Sequence, residues 1–374
     1  MKKVCLICPH FPVMGYPCGA ADFAQNLSKE LSNNLDVTVL TANTRAVKSG
    51  AVSVKIVEGP WNIWKVYKIA TWIKKENFDY IDIQFEAYMY GSLGSILLLP
   101  FLLPKKCKKI LTLHSEALPK KGGRLWRAIQ MFFFDQIIFY SEQFLNNAEK
   151  RFQKEKNKFS LAPFPSNISK VSISPLMKMI KQHQKGLDPN TIYLSFFGHL
   201  SPGRHIEDLL QLMFLLKNKN FHLIFIGQFD PAKNVYHREI QQMYKSMELE
   251  DSITFTGRLE ESEVSQMIQL TDIGLLPFSE GASFKNGSLA AYVSHQIPVF
   301  TTKSELTEKN LLDSKGLYFF SIQNLPELKN ELLDIKINPK KLLFMKDEIQ
   351  KLDQLYSWQN YREQRLSIYN RTTT

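Results

Sequence analysis

Short apolar runs alternate with helix-length segments along most of this chain. KVCLIC is followed by DFAQNLSKELS, in which Phe23, Leu27 and Leu31 recur at helical spacing, and then by DVTVLTA. The runs YIDIQF, KILTLH and QIIFYS follow, separated by helix-length segments. Continuously apolar strands with helices between them are typical of a parallel sheet that is covered on both faces. The alternation therefore predicts an α/β fold.

A segment rich in proline and serine, FSLAPFPSNISKVSISP, interrupts the alternation. The alternation of apolar runs and helix-length segments resumes after Pro189 with TIYLSFFG, HIEDLLQLMFLLK and FHLIFIG. A chain of 374 residues is long enough for two hydrophobic cores of typical domain size. We predict a first domain over 1–165, a linker over 166–190 and a second domain over 191–350. The remaining residues, 351–374, continue a long helical pattern with no strand after it.

The formal net charge of +11 favours an anionic partner. A nucleic acid is not expected, because the basic residues lack interleaved aromatic side chains and a helix-turn-helix pattern. The N-terminus has no signal-peptide pattern, and the apolar segment Leu93–Leu103 is too short to span a bilayer. Cys5 and Cys8 lie in a predicted buried strand, where a redox pair is not expected. These features predict a soluble, cytoplasmic protein.

Basic side chains concentrate between residues 101 and 130, opposed there by Glu116 alone. They are Lys105, Lys106, Lys108, Lys109, Lys120, Lys121, Arg124 and Arg127. One interpretation is a solvated surface. The other is docking on an anionic membrane or on a lipid-linked diphosphate acceptor, which would place the protein peripherally on the inner face of the cell membrane.

Four predicted strands end in a glycine or run into a small-residue turn. The first strand leads into CPHFPVMGYPCGAADF with Gly15 and Gly19, and FFGHLSPGRHIEDLL places Gly198 and then Arg204 after another. FIGQFD and FTGRLEESE repeat the strand-end glycine. Backbone N–H groups at such turns and at helix N-termini favour phosphate, and Arg204 adds a permanent cation unless it is a plain surface residue. The first loop lacks the GxGxxG pattern and no acid ends strand two, which disfavours a dehydrogenase.

The stretch PFSEGASFKNGSLAAYVSHQIPVFTT places a carboxylate, a cation and a predicted helix start between two apolar strands. Glu280 follows the first strand, Lys285 comes five residues later, and Gly287 and Ser288 open the helix. This composition suits a site for a charged ligand.

The motifs FFGHLSPGR…EDLL, ITFTGRLEESEVSQMIQLTDIGLLPF and IPVFTT, in this order, resemble the nucleotide-binding half of retaining glycosyltransferases of family 4. DYIDIQFEAYMYG and LTLHSEA are similar to segments of their N-terminal half. The resemblance implies the GT-B fold, which has two facing Rossmann-like domains with parallel sheets. LYSWQNYREQRLSIY, with Trp358, resembles the closing helix that crosses back to pack on the first domain.

The resemblance implies transfer of a sugar, with retention, from a nucleotide-sugar to an acceptor hydroxyl in the cleft between the domains. The acceptor would be a glycan or a lipid-linked molecule in cell-surface polysaccharide or glycolipid synthesis. No cofactor and no metal is expected, since the chain has no DxD motif. The implied catalytic residues are His114 and Glu280, although a structural strand-end histidine is the alternative for His114. The implied diphosphate-binding residues are Gly19, Gly198, Arg204, Lys285, Gly287 and Ser288, and the implied nucleotide-binding residues are Gly227, Gly257 and Leu259.

Four positions depart from the family pattern. His199 stands where many members have arginine, and Arg204-His205 replaces the usual Lys-Gly. Ser288 stands where the second of two paired glutamates normally holds the ribose. A non-catalytic, glycosyltransferase-like partner subunit is therefore the alternative to an active enzyme.

Overall fold

The structure, a computed structural model, describes residues 1–11, 19–46, 50–90, 94–115, 123–173, 188 and 190–371. The chain divides into two compact units. One comprises Met1–Pro163 together with Trp358–Thr374, and the other comprises Phe164–Ser357. The described part of the predicted linker belongs to the second unit.

The first unit is built on a parallel sheet. Among its described residues, seven strands join in the order β3-β2-β1-β4-β5-β6-β7. They are β1 (Lys3–Ile7), β2 (Asp36–Thr41), β3 (Ser53–Ile56), β4 (Tyr80–Phe85), β5 (Lys108–Leu113), β6 (Gln136–Phe139) and β7 (Phe159–Leu161). Every residue of β4 is buried, as expected for a strand covered on both faces.

Helices connect these strands. They are α1 (Gly19–Leu31), α2 (Ile63–Glu76), α3 (Leu99–Leu102), α4 (Gly123–Phe133) and α5 (Glu142–Arg151). Helix α1 buries Phe23, Leu27 and Leu31, the residues whose spacing predicts it. Helix α2 begins after Asn62, whose side chain accepts a hydrogen bond from a first-turn N–H group, as a helix N-cap does.

The second unit has a parallel sheet of its own. Six strands of its described residues join in the order β10-β9-β8-β11-β12-β13. They are β8 (Ile192–Phe197), β9 (Phe221–Ile226), β10 (Ile253–Phe255), β11 (Ile273–Leu276), β12 (Val299–Thr301) and β13 (Leu317–Phe319). The chain proceeds from β8 towards one edge and later returns to build the other half from β11. Loops that follow β8 and β11 thus meet at the point where the strand order reverses, where open α/β sheets bind ligands.

The helices of the second unit alternate with its strands and then form a tail. They are α6 (Ile206–Leu215), α7 (Val235–Ser246), α8 (Glu261–Leu270), α9 (Gly287–Ser294), α10 (Lys309–Leu312), α11 (Leu325–Ile337), α12 (Pro339–Gln350) and α13 (Asp353–Tyr356). Glu260 and Glu263 form a reciprocal capping box at the start of α8.

The C-terminal helical pattern is broken rather than continuous. Ser357 adopts an extended backbone after α13, and α14 (Trp358–Asn370) then belongs to the first unit. There it packs on α1, with the rings of Trp358 and Tyr361 centred 5.3 and 5.6 Å from that of Phe23. No glycine or proline marks this break in the sequence, which is why the pattern alone did not reveal it.

Two further features bear on the sequence predictions. Cys5, Cys8 and Cys107 are buried, and burial raises the pKa of the Cys107 thiol to about 11, as for cysteines that serve as core residues. Within the ranges that the structure describes, no helix is long and apolar enough to cross a bilayer.

One ion pair is completely buried in the first unit. Arg365 of α14 and Asp82 of β4 are each 0% exposed, and the guanidinium bonds the carboxylate. The carboxylate also accepts hydrogen bonds from Gln84 (2.8 Å), Thr112 (2.9 Å) and Tyr369 (2.6 Å). These contacts fasten the last helix to the centre of the first sheet.

We expect Arg365→Met to lower the free energy of unfolding by about 3–5 kcal/mol, because it leaves the Asp82 carboxylate buried without a counter-charge. Urea denaturation measures the loss. Arg362→Gln is the matched control on the same helix, since Arg362 contacts Glu30 at 3.2 Å with both side chains partly exposed. That substitution should cost at most about 1 kcal/mol. Equal losses for the two variants would contradict this account of the pair.

Candidate functional site

The turn after β8 lies at the switch point of the second sheet. Gly198 directly follows the strand with a φ of +151°, and its N–H group donates to the carbonyl of Ile226 at 3.1 Å. Gly203 has a φ of +79°, in the region that favours glycine. Arg204 follows it with an exposed side chain, immediately ahead of α6. The structure thus places Gly198 and Arg204 in one loop at the carboxyl edge of the sheet.

His205 fastens this turn to the loop after β11. Its Nδ1 lies 2.9 Å from the Asp208 carboxylate, and its Nε2 lies 3.1 Å from the Ser279 hydroxyl. Ser279 donates its own proton to the carbonyl of Gly203 at 2.6 Å, so it accepts from His205. The two ring nitrogens of His205 thus contact side chains from both ends of the link, Asp208 of α6 and Ser279 of the loop after β11. Sequence reasoning missed His205 and Ser279 as site residues.

Glu280 and Lys285 meet in the loop after β11. Their side chains form an ion pair of 2.7 Å at the protein surface. The hydrogen bond from Lys285, aided by its charge, lowers the pKa of the Glu280 carboxyl. The Glu280 carbonyl accepts from the Ser304 hydroxyl at 2.6 Å, and Gly281 has a φ of +78°, with no space for a Cβ beside Ser304. The loop is therefore held in one course between Glu280 and the start of α9.

The start of α9 leaves its backbone donors available. Asn286, the residue before the helix, accepts a hydrogen bond from the N–H group of Ser283 (2.6 Å) and does not cap the helix. Among the described residues, no protein acceptor contacts the N–H groups of Gly287, Ser288 and Leu289. The first turn contains no acidic side chain. Such a helix N-terminus favours a bound anion.

Two glycines follow β9 and β10, the two strands on one side of β8. Gly227 and Gly257 form an isolated antiparallel bridge after β9 and β10. A Cβ on Gly227 would lie 2.2 Å from the carbonyl oxygen of Gly198, so the close approach of two backbones requires glycine there. Gly257 has a φ of +70° and open space around it. Leu259 is half-buried, just ahead of the capping box of α8.

His114 directly follows β5 in the first unit. Its backbone N–H donates to the carbonyl of Phe85 at 2.9 Å, and its Nε2 lies 3.1 Å from Gln84 Oε1. The ring packs against Phe23 and Tyr140, with centroids 5.2 and 5.3 Å apart. Burial lowers the pKa of His114 to about 3, although part of its surface stays exposed. The imidazole is therefore neutral at physiological pH.

Gly19 is the first residue of α1, and its described surroundings leave space for a Cβ. Gly15 lies outside the described residues. The structure thus groups the candidates by unit: Gly198, Arg204, Gly227, Gly257, Leu259, Glu280, Lys285, Gly287 and Ser288 belong to the second, and Gly19 and His114 to the first. Within the described ranges, no cluster of His, Cys, Asp and Glu has the arrangement of a metal site.

The basic segment is only partly a surface. Lys109 is 8% exposed and lies 3.9 Å from the Asp135 carboxylate. Lys108 donates to the backbone carbonyls at the end of α14. Lys105 and Lys106 are exposed. Lys108 and Lys109 belong to β5, so the interpretation of these lysines as a solvated surface is wrong for the buried Lys109, while Lys108 is half-buried. Lys120 and Lys121 lie outside the described residues.

Comparison with known proteins identifies one family match and many similar folds. Residues 178–286 match the family of group 1 glycosyl transferases. No curated protein sequence matches the chain.

Solved structures are similar over nearly the whole chain. Sucrose-phosphate synthase from Thermosynechococcus elongatus is 15% identical to this chain. The match covers 99% of this chain and 98% of the synthase, with a TM-score of 0.74. A glycosyltransferase from Rickettsia africae is 12% identical, and the match covers 98% of this chain and 97% of that protein with a TM-score of 0.76. HepE of Anabaena, in complex with UDP and glucose, is 16% identical, and the match covers 98% of this chain and 99% of HepE with a TM-score of 0.72. At these identities the likeness shows the fold, and it confirms the expected GT-B fold.

We expect Gly227→Ala to destabilise the second unit by about 3 kcal/mol, because the new methyl group overlaps the Gly198 carbonyl and displaces the turn after β8. Gly257→Ala is the control: its space is open, and only the positive φ opposes it, at about 1 kcal/mol. Urea unfolding measures both. A cost for Gly227→Ala no larger than that of Gly257→Ala would show that the two backbones do not approach as described.

Proposed function

We propose that this protein is a glycosyltransferase that moves a sugar from a nucleotide-sugar to an acceptor hydroxyl. The observation that carries the proposal is the start of α9, whose N–H groups follow closely after Lys285. The loop that leads to this helix is joined to the turn that carries Arg204 by the hydrogen bond from Ser279 to Gly203. The group 1 glycosyl transferase match, which includes Arg204 and Lys285, supports it. The UDP and glucose bound by HepE indicate the kind of donor.

The turn after β8 and the loop that leads into α9 suit the diphosphate of the donor as their ligand. Its negative charge complements the N–H groups of Gly287 and Ser288, the guanidinium of Arg204 and the ammonium of Lys285. Gly198 contributes a turn without a Cβ, and Gly19 of the first unit belongs to the same proposed set. The nucleoside would follow the glycine bridge of Gly227 and Gly257 and the half-buried Leu259.

The proposed reaction proceeds with retention. The bond between the anomeric carbon and the diphosphate oxygen breaks, and the acceptor oxygen forms its bond on the same face of the sugar. The acceptor proton passes to the departing phosphate oxygen, so no protein base is required. Glu280 and His114 are the residues we assign to the sugar, and the cations and N–H groups stabilise the departing diphosphate. No step of this scheme uses a metal or a cofactor.

A non-catalytic partner subunit is the second candidate. Two observations favour it: Ser288 stands at the helix start where the resemblance implies a ribose-binding glutamate, and Glu280 is paired with Lys285. An enzyme must exchange this pair for contacts with the donor, whereas a scaffold retains it.

The acceptor side of the proposal includes an anionic membrane, with the protein peripheral on its cytoplasmic face. Helices α2 and α3 border an apolar groove of about 580 Å³ lined by Ile63, Trp64, Tyr67 and Phe101, among others. The side chains of these four residues are 49–75% exposed. Aromatic and aliphatic groups at a surface suit the boundary between lipid headgroups and acyl chains.

Cations accompany the groove. Helix α2 carries exposed Lys68, Lys74 and Lys75 against Glu76 as its single acidic residue, and the exposed pair Lys105–Lys106 follows α3. Lysines beside exposed aromatic side chains favour a surface with anionic lipids, where each contributes about 1 kcal/mol. This surface would bring the enzyme to a lipid-linked acceptor.

We expect nucleotide-sugars to bind and to raise the melting temperature of the protein, because a ligand specific to the folded state stabilises it. Arg204→Ala should weaken this binding by about ten- to a hundredfold, the loss expected for a charge-assisted hydrogen bond. Lys217→Ala is the matched control, because it also removes one positive charge. Lys217 lies just beyond the opposite end of α6, where it pairs with Glu248. Isothermal titration calorimetry with UDP and UDP-glucose, followed by other nucleotide-sugars, measures the constants.

Turnover separates the two candidates. An enzyme loses transfer in Glu280→Gln and Arg204→Ala while both variants stay folded. A glycan product that is unchanged in cells carrying either variant would favour the scaffold, and failure to bind any nucleotide-sugar would overturn the proposal.

For the membrane surface, we expect binding to vesicles of phosphatidylglycerol to exceed binding to phosphatidylcholine. Trp64→Ser should weaken it about tenfold, because a large apolar side chain no longer enters the lipid. Phe344→Ser, which removes an exposed aromatic ring of α12 in the second unit, is the control. Co-sedimentation measures both. Indifference to lipid charge, or equal losses for the two variants, would contradict the assignment.

A further inference from the structure

A buried histidine of α7 joins the turn after β8 to the loop after β9. His237 is 5% exposed, and both nitrogens of its ring contact backbone groups. Its Nδ1 lies 2.9 Å from the backbone nitrogen of Asp230, in the loop after β9. Its Nε2 lies 2.9 Å from the carbonyl oxygen of Leu200, in the turn after β8. The proposed reaction so far gives His237 no role.

The direction of both bonds follows from the backbone groups. The Asp230 N–H group can only donate, so Nδ1 accepts, and the Leu200 carbonyl can only accept, so Nε2 carries the proton. The neutral ring with its proton on Nε2 therefore satisfies both contacts at once. A ring with its proton on Nδ1 would lose both, because a donor would then face a donor and a lone pair would face a carbonyl oxygen. The link between the two loops thus requires one defined tautomer.

The surroundings hold the ring in this position. The backbone N–H group of His237 donates to the side chain of Asn234 at 3.2 Å, which caps the start of α7. The ring of Phe229 is centred 5.2 Å from the imidazole, and it stacks on Phe255 of β10 at 3.8 Å. Because the cap fixes the backbone and an anchored aromatic ring packs against the imidazole, the side chain is preorganised between the two loops.

The turn after β8 is held on its other side as well. There His205 connects it to Ser279 in the loop after β11, at 3.1 Å. Leu200 is 4% exposed and precedes Arg204 by four residues. His237 thus fixes the middle of the turn and His205 fixes its end, so the course of the backbone that carries Arg204 is set by both neighbouring loops.

We propose that His237 is a positioning residue for the donor, which holds the turn after β8 through Leu200 in the course that directs Arg204 to the diphosphate. This inference rests on the proposed function for the identity of the ligand. A turn released from His237 would have to be ordered again when the donor binds, and such ordering reduces affinity. The bond to Asp230 has a different purpose, because it keeps the ring proton on Nε2, where Leu200 needs it.

Two substitutions separate the two bonds. The amide nitrogen of a glutamine lies near the place of histidine Nε2, and the amide oxygen of an asparagine lies near that of Nδ1. His237→Gln therefore keeps a donor for Leu200, and His237→Asn keeps an acceptor for Asp230.

Hydrogen exchange of the backbone amides in the full chain tests the link without any ligand. In His237→Gln we expect faster exchange at Asp230. In His237→Asn we expect it in the turn after β8, where the Arg204 N–H group donates to the Ser201 carbonyl. The same pattern in both variants, or no change in either, would overturn the link.

Affinity tests the consequence for the donor. His237→Asn should weaken the binding of UDP and of nucleotide-sugars about tenfold, the effect of one lost hydrogen bond, and His237→Gln should retain most of the affinity. A purely structural role would give the two variants equal losses of affinity, and that result would overturn the positioning role. Crossed exchange without any nucleotide binding would instead refute the proposed function and leave His237 as a link between loops only.

His295→Asn is the matched control for the affinity measurement. His295 is 3% exposed, and its ring also has contacts at both nitrogens, to the Ala291 carbonyl at 2.6 Å and to the Ser265 hydroxyl at 2.7 Å. It lies just after α9, at the end opposite to the proposed diphosphate site. The substitution should lower the urea midpoint and leave the affinity for UDP unchanged. A loss of affinity as large as that of His237→Asn would show that any buried histidine of the second unit has the same effect, which would contradict the proposal.

Discussion

The ion pair between Asp82 and Arg365 is the contact on which the first unit depends. A carboxylate and a guanidinium without solvent are costly to bury, and only close pairing and further hydrogen bonds compensate for this. Because Arg365 lies 283 residues after Asp82, the first unit is complete only once the end of the chain has returned to it. The second unit is therefore an insertion between two parts of one core, and the stability of the first unit requires both.

The geometry of parallel sheets accounts for both candidate sites, one in each unit. Parallel strands direct their carboxyl ends to one edge, where loops carry N–H groups, glycines and side chains. In the second unit these loops present cations and the N–H groups at the start of α9, which suit a diphosphate. In the first unit the corresponding edge presents the neutral His114, which we assign to the sugar. One fold thus supplies a charged and an uncharged environment through its loop residues.

Much of the fold follows from local patterns, whereas the detail of the site does not. Strand-end glycines such as Gly198 and the apolar alternation predict the two sheets because both reflect backbone geometry and burial. The break at Ser357 has no proline or glycine to mark it, so only tertiary packing of Trp358 decides it. Lys109 reads as part of a basic surface, yet it is buried beside Asp135, since its place in β5 determines its exposure. The link from His205 to Ser279 joins residues 74 apart and has no local signal.

The pairing of Glu280 with Lys285 limits how the second unit can bind a donor. Because Lys285 lowers the pKa of Glu280, the carboxylate stays charged to a lower pH than usual, and the pair is lost only when the pH falls through that lowered value. Near neutral pH the Lys285 charge is thus already compensated before a diphosphate arrives. Both side chains are substantially exposed, so water screens the pair and its exchange for a doubly charged ligand costs little. The pair therefore keeps Lys285 beside the start of α9, and releasing Glu280 leaves a carboxylate available to the hydroxyls of the incoming sugar.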